Sequence, residues 1–339
     1  MQLVFSNVSY SYVGKRQAKD TKDRKRQEGA AEIKAWGNDP DQMWALRGAN
    51  FTLHEGEFMG ICGHTGSGKS TLIQHMNGLL HPTRGAVLLD GNDLSDKKAA
   101  KYCRGKVGVV FQYPEHQLFA PTVYDDVAFG PRNMGMAEDE VDACVHQALS
   151  QVGLEGEDFD TSVSPFELSG GQQRRVAFAG VLAMKPEILV LDEPAAGLDP
   201  ATRAKFLGTI KELHESGLTV VMVSHSMDDL ARLCDRLLVL NKGRTIFQGT
   251  PAEVFGHPEE LKKIGLDIPA AQKIANELRT SGIELPAALY ATPEQLAEDL
   301  AAAFQDKGGA VASPASSQTG VVALSSAPQA DAASGKAGE

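Results

Sequence analysis

The chain has 339 residues, a length that fits one core of about 200–250 residues plus something smaller. Hydrophobic residues make up 42% and charged residues 23%, and Lys+Arg 33 against Asp+Glu 44 leaves −11, which argues against a general nucleic-acid binder. No apolar run approaches the ~18–20 residues of a membrane span, and Cys62, Cys103, Cys144 and Cys234 form no CxxC pair, so a membrane-embedded chain and a disulfide scaffold are both disfavoured and reduced thiols are expected.

Met1 to Tyr12 reads as a strand rather than a leader. From Lys15 to Arg26 there are seven basic and two acidic residues and no apolar period, and the chain stays polar until Met43 and Trp44. Val13 to about Met43 is therefore expected to be a basic, mobile insertion. Glu57 to Cys62 is a strand running into a Gly-rich turn, and Ser70 to Asn77 a helix with Leu72, Ile73 and Met76 on one face and Gly78 beyond its end. Val107 to Phe111, Ile188 to Leu191 and Thr219 to Ser224 are unbroken apolar runs, the pattern of parallel strands covered on both faces. Leu237 to Leu240 and Arg244 to Gln248 read as a hairpin around Asn241-Lys242-Gly243. Helical signals dominate from Pro251 to Phe304, where Thr292 and Glu294 precede Leu296, Leu300 and Phe304 as a capped amphipathic helix. The expected division is a main α/β unit over 1–250, a helical extension over 251–305, and an Ala/Ser-rich disordered tail over 306–339.

Gly63-His64-Thr65-Gly66-Ser67-Gly68-Lys69-Ser70 fits G-x-x-x-x-G-K-[ST] and lies between an expected strand and an expected helix. Glycines let successive backbone N–H groups wrap phosphates, and the helix N-terminus adds positive charge there. Lys69 would reach the β- and γ-phosphates, and Ser70 would offer its hydroxyl to Mg²⁺. Ile188-Leu189-Val190-Leu191 delivers two carboxylates: Asp192 for the metal, and Glu193 to orient or deprotonate the attacking water. Leu168-Ser169-Gly170-Gly171-Gln172 reads as a second anion-binding turn opening a helix. One chain holding both turns points to two chains sandwiching nucleotide.

These motifs, in this order, resemble an ATP-binding-cassette ATPase over most of Met1 to about Gly249. The resemblance implies an α/β fold: a P-loop NTPase cassette with a RecA-like core, a helical signature subdomain and an antiparallel β subdomain, with a small helical C-terminal extension. It implies ATP and Mg²⁺ as cofactors, with Thr71 continuing the phosphate loop. Gln112 resembles the Q-loop glutamine that contacts metal and water, and His225 the switch histidine on the γ-phosphate. Asp199 resembles the D-loop aspartate linking two halves, and Tyr12 the aromatic that stacks on adenine. Tyr10 is the alternative for that last role, because the insertion follows Tyr12 directly. Ala195 stands where the family usually has threonine.

Phe111 to Phe119, and Ser164-Pro165-Phe166-Glu167 ahead of the signature, resemble cobalt-type and energy-coupling-factor ATPases. Gly63-His64-Thr65, the stretch Val176 to Met184 and the helices from Gly265 to about Phe304 are similar to the second ATPase subunit of that system. The resemblance implies a heterodimer with another ATPase subunit, peripheral on the cytoplasmic face of the cell membrane. It also implies a membrane T component and a substrate-binding S component, uptake of vitamins or transition-metal ions, and no nucleic-acid partner. The T component is expected to dock on Tyr113 to Phe119, with Glu115 offering an outward charge to an arginine. A soluble nucleic-acid-acting cassette protein is disfavoured by the single phosphate loop and the lack of heptads. A regulatory module is disfavoured by the presence of both Glu193 and His225.

Overall fold

The computed structural model describes residues 1–12, 44–154, 156 and 159–306. The expected mobile insertion and the tail beyond Asp306 lie outside the described residues.

The chain opens with β1 (Leu3–Ser11) and, past the insertion, β2 (Trp44–Leu53). Then come β3 (Phe58–Cys62), α1 (Lys69–Met76), β4 (Arg84–Leu89) and β5 (Asn92–Asp93). α2 (Lys97–Lys106) leads into β6 (Val107–Val110), followed by α3 (Val123–Asn133), α4 (Glu138–Gln151) and α5 (Gly170–Leu182). The second half holds β7 (Ile188–Asp192), α6 (Pro200–Glu215), β8 (Thr219–Val223), α7 (Met227–Leu233), β9 (Arg236–Asn241) and β10 (Arg244–Gly249). The described chain ends in α8 (Pro251–Phe255), α9 (Pro258–Lys263), α10 (Ala270–Thr280) and α11 (Pro293–Asp306).

Two sheets result. An antiparallel sheet has the order β2-β1-β4-β5. A six-stranded sheet has the order β10-β9-β3-β8-β7-β6, parallel throughout except for the β10-β9 hairpin. Every residue of β3, β7 and β8 is buried. The period of two shows why: Met59, Ile61, Val190, Val221 and Val223 pack with α1 and the antiparallel sheet, while Phe58, Leu189, Leu191, Val220 and Met222 pack toward the helices. A strand apolar on both faces must be covered on both, so the unbroken runs in the sequence mark the centre of a three-layer unit.

α3, α4 and α5 form a helical subdomain against the same core, through Val127, Val145, Val176 and Phe178. The region 251–306, helical in expectation, divides into four helices because Gly256, Gly265 and Gly282 follow the ends of α8, α9 and α10. Leu261, Leu266 and Ile268 join the main core, while Ala271, Ala275, Leu285, Tyr290 and Leu296 make a small core of their own. The two are tied where Asp228 Oδ1 accepts from the Ala270 amide at 2.8 Å. The hydroxyl of Thr292 accepts from the Gln295 amide at the head of α11.

Candidate nucleotide site

β3 ends at Cys62 and turns through Gly63–Gly68 into α1. A Cβ on Gly63 would lie 2.4 Å from the Leu240 carbonyl oxygen and 2.5 Å from Ser67 Oγ, so only glycine fits. Gly68 has φ +107, and a Cβ there would lie 2.5 Å from the Ala45 carbonyl oxygen. Lys69 Nζ donates to the Gly63 carbonyl at 2.7 Å and the His64 carbonyl at 3.2 Å. Burial lowers its pKa, against the raising influence of Glu193 and Asp192. His64 Nε2 lies 2.9 Å from Asn241 Oδ1, which holds the loop to the end of β9. Ser67 Oγ is buried with no hydrogen-bond partner among the described residues. A turn with an unmet buried donor, a lysine folded onto its own carbonyls and the N-terminus of α1 fits an anion.

β7 carries Asp192 and Glu193 to the same place. Asp192 is buried; burial raises its pKa, while Lys69 and a hydrogen bond from Ser70 lower it. Glu193 sits at φ +52, in left-handed space that a non-glycine residue enters at a cost of about 1–3 kcal/mol. Its amide stays in the ladder, donating to the Val223 carbonyl at 3.0 Å, so its side chain swings off the strand end. Burial pushes the Glu193 carboxyl up to about 7, with the backbone N–H of His225 and the Lys69 charge acting the other way. His225 Nε2 lies 3.2 Å from Glu193 Oε1, off the line of a hydrogen bond. Burial, and then Lys69, lower the pKa of His225.

An open cavity of about 850 Å³ joins these groups. Its lining includes Tyr12, Thr65, Gly66, Gly68, Lys69, Ser70, Thr71, Gln112, Asp192, Glu193 and His225. Trp44 and Ala45 line it too, and neither belongs to a motif; the signal for them is an aromatic residue where the apolar pattern resumes after the insertion. Tyr12 is exposed at the mouth, its hydroxyl 3.1 Å from Thr71 Oγ1 and its ring edge-on to Tyr10 at 4.9 Å. Tyr10, the alternative adenine contact, is 2% exposed and packs edge-on against buried His75 at 4.9 Å. It is a core residue behind Tyr12 and does not face nucleotide.

Oxygen donors from Ser70, Gln112 and Asp192 suit a hard cation such as Mg²⁺. No cluster of three or more His, Cys, Asp or Glu capable of holding a metal occurs among the described residues, so a cation here would need phosphate oxygens as well.

Ser169, Gly170, Gly171 and Gln172 do not line this cavity. Ser169 is the N-cap of α5 in a capping box: its hydroxyl accepts from the Gln172 amide, and the Gln172 side chain accepts from the Ser169 amide at 3.1 Å. A Cβ on Gly170 or Gly171 would meet nothing within 4 Å among the described residues. Asp199 also stands apart. It caps α6, accepting from the Ala201 and Thr202 amides at 3.1 Å each, and hydrogen bonding holds its carboxyl below the usual carboxylate range.

Tyr113 has φ +59, is exposed and stacks on His116 at 5.8 Å; a short 3-10 turn spans Pro114–Gln117. Leu118 is buried, while Phe119 is exposed and meets Phe129 edge-on at 4.7 Å. Together with Met134, Met184 and the basic rim Lys98, Lys101 and Arg104, they line a groove of about 950 Å³. Glu115 departs from expectation. Its Oε2 is buried without a hydrogen-bond partner among the described residues, and its charge supports buried Arg174 of the same chain. One oxygen of this half-buried carboxylate is therefore turned away from solvent. No helix among the described residues is long and apolar enough to cross a membrane.

A family model described as ABC transporter matches residues 46–196. A protein of Caldanaerobacter subterraneus subsp. tengcongensis, named energy-coupling factor transporter ATP-binding protein EcfA2, is 52% identical over 71% of this chain and 85% of its own length. A protein of the same name from Symbiobacterium thermophilum is 54% identical over 75% of this chain and 88% of its own. The chain belongs to the energy-coupling factor family of ABC-transporter ATPases. Among solved structures it is similar to cbiO1 of Clostridium perfringens, described as part of the ABC transporter complex cbiONQ, with 34% identity, a TM-score of 0.61, and 82% and 98% of the two chains covered. It is also similar to the dimeric cassette MJ0796 in a post-hydrolysis state with ADP and Pi, at 30% identity and a TM-score of 0.58 over 74% of this chain and 98% of that one. The fold is thus that of an ABC ATPase cassette, and the protein is a nucleotide-binding ATPase.

Proposed function

We propose that this chain is the ATP-hydrolysing subunit of an energy-coupling-factor importer, working as one of two cassettes beneath a membrane T component and an S component that carries the vitamin or metal-ion specificity. The observation that carries the reading is the separation of two incomplete half-sites. The cavity with the phosphate loop, Asp192 and Glu193 lacks the signature, and the signature glycines face open space that nothing among the described residues fills. Glycines without an internal steric reason are explained by close approach of another molecule, here the phosphates held by a second ATPase subunit.

In this reading Gly63 to Gly68 lay their amides on the phosphates, Lys69 leaves its carbonyls for the β- and γ-phosphates, and Tyr12 stacks on the adenine. Ser70, Asp192 and Gln112 hold Mg²⁺, which would neutralise charge on the transferring phosphoryl group. Glu193 orients the attacking water and takes its proton, while His225 meets the γ-phosphate. Asp199 contributes to the joint between the halves. The groove beside Tyr113 to Phe119 receives the T component, which places the chain peripherally on the cytoplasmic face of the membrane. Import and partners rest on relatives bearing the energy-coupling factor name and on the cbiONQ complex to which cbiO1 belongs.

The test uses Gly171→Asp, which puts a carboxylate where phosphate would approach. ATP binding to the isolated chain should be unchanged, while hydrolysis by the ATPase pair should fall at least ten-fold. Full hydrolysis by wild-type chain at monomeric dilution, or by the variant pair, would defeat the two-chain site.

A further inference from the structure

We propose that Trp44 forms a second aromatic wall of the nucleobase site, beside Tyr12. The inference rests on the nucleotide reading of the cavity and adds a residue to it. Trp44 opens β2 and pairs with Ser11 of β1, the residue immediately before Tyr12. The pairing puts the two residues at the same end of the antiparallel sheet, and both line the nucleotide cavity.

Backbone contacts fix the position of Trp44 against the phosphate loop. The carbonyl of Ala45 leaves no room for a Cβ on Gly68, at 2.5 Å, or on Gly243, at 2.7 Å. The Arg47 amide donates to the Gly243 carbonyl at 2.7 Å. The start of β2 is thus seated on the loop that would hold the phosphates, and Trp44 is the residue immediately before that contact. The indole is half-buried, unlike Leu46 two residues on, which is fully buried in the core. The Arg84 guanidinium stands 5.6 Å from the indole centroid and braces the ring. A braced, partly exposed indole beside a phosphate loop offers a π-surface to a flat base, the chemistry by which aromatic side chains hold nucleobases. Tyr12 is itself fixed at the mouth of the cavity, edge-on to Tyr10 and with its hydroxyl beside Thr71 Oγ1.

The experiment compares Mg²⁺-ATP with Mg²⁺-tripolyphosphate, which carries the phosphates without the base, using the full-length chain. The sequence has two tryptophans, Trp36 and Trp44, so in a Trp36→Phe background the emission belongs to Trp44 alone. ATP should quench that emission and tripolyphosphate should leave it unchanged. Trp44→Ala should weaken ATP binding about ten-fold, within the range for loss of one base–aromatic stack, and leave tripolyphosphate binding unaltered. Trp44→Phe should restore most of the loss. Equal weakening of both ligands would show that Trp44 only supports the loop, and unchanged ATP affinity would show that the base lies elsewhere; either result overturns the proposal. A wild-type chain that binds neither ligand would instead overturn the nucleotide reading, and this proposal with it.

Discussion

Glu193 carries a conflict that can be measured in two independent ways. A glutamate ordinarily titrates near 4.5, and burial pushes this one up to about 7. In the proposed role of base it would work only when ionised, so the acid limb of kcat/KM, which reports the free enzyme, should fall about ten-fold per pH unit below 7. Stability should move the opposite way. Between pH 4.5 and 7 the unfolded chain has released this proton while the folded chain retains it. Folding stability therefore declines as pH rises through that window and stays lower above it. A shift from 4.5 to about 7 corresponds to roughly 3 kcal/mol at pH 8. Glu193→Gln keeps the size and removes the titration, so nucleotide-free variant should be more stable than wild type at pH 8 by up to that amount, and level with it near pH 4.5. The same variant should lose about 10²–10⁴ in turnover while still binding ATP. Urea unfolding of both proteins across this pH range, beside kcat/KM profiles of the ATPase pair, checks both halves. Parallel stability curves, or a variant with near-normal turnover, would refute the reasoning.

Two further outcomes follow from contacts already described. Gly63→Ala should abolish nucleotide binding, because its Cβ would overlap the Leu240 carbonyl oxygen at 2.4 Å, whereas Gly56→Ala, at φ +68 with open space around it and outside the phosphate loop, should leave it within a few-fold; calorimetric titration with ATP separates them. Phe119→Asp introduces a charge into the apolar floor of the groove beside Phe129. It should block co-purification of the ATPase pair with its membrane component and leave hydrolysis by the free pair within two-fold; intact assembly would remove this groove as the docking surface.

The parallel sheet was legible because its strands are apolar on both faces, so Ile188 to Leu191 and Thr219 to Ser224 stand out without any partner in view. Their ends were less sharp. Ser224 falls outside β8 and Asp192 inside β7, because a strand ends where the backbone leaves the ladder, and that depends on Glu193 adopting φ +52. The antiparallel sheet was mostly hidden. β2, β4 and β5 bury one face at most, and β1 carries irregularities near Val8 and Tyr10 that break its alternation. α3 and α4 escaped notice for a similar reason, since only stripes such as Val123, Val127 and Ala128 face the core. Within the site, motifs revealed which residue types are present, but not that Tyr10 is buried, that Trp44 lines the cavity with Tyr12, or that Glu115 acts on the buried charge of Arg174. Those are consequences of register and long-range packing, which no local pattern encodes.

The cavity and the groove share one short piece of backbone. Gln112 lines the first, and Gln117 and Leu118 line the second. Between them lie Tyr113 in left-handed conformation and the 3-10 turn Pro114–Gln117, with Pro114 buried and the His116 amide bonded back to the Tyr113 carbonyl at 3.1 Å. So few residues, locked by a proline and a tight turn, cannot absorb much displacement internally. Arg174 holds this piece from behind. It is 5% exposed, its NH1 donates to the Ala196 carbonyl at 2.8 Å, and Glu115 faces its charge. Ala196 lies on the nucleotide cavity, and Arg174 stands one turn beyond the signature glycines on α5. A shift of Gln112 toward bound metal and phosphate would therefore pull on the groove directly through the chain, and on the signature helix through a buried guanidinium whose Nε and NH2 have no hydrogen-bond partners among the described residues. Arg174 is thus the point at which the lining of the cavity, the helix that follows the signature and the segment leading to the groove are joined.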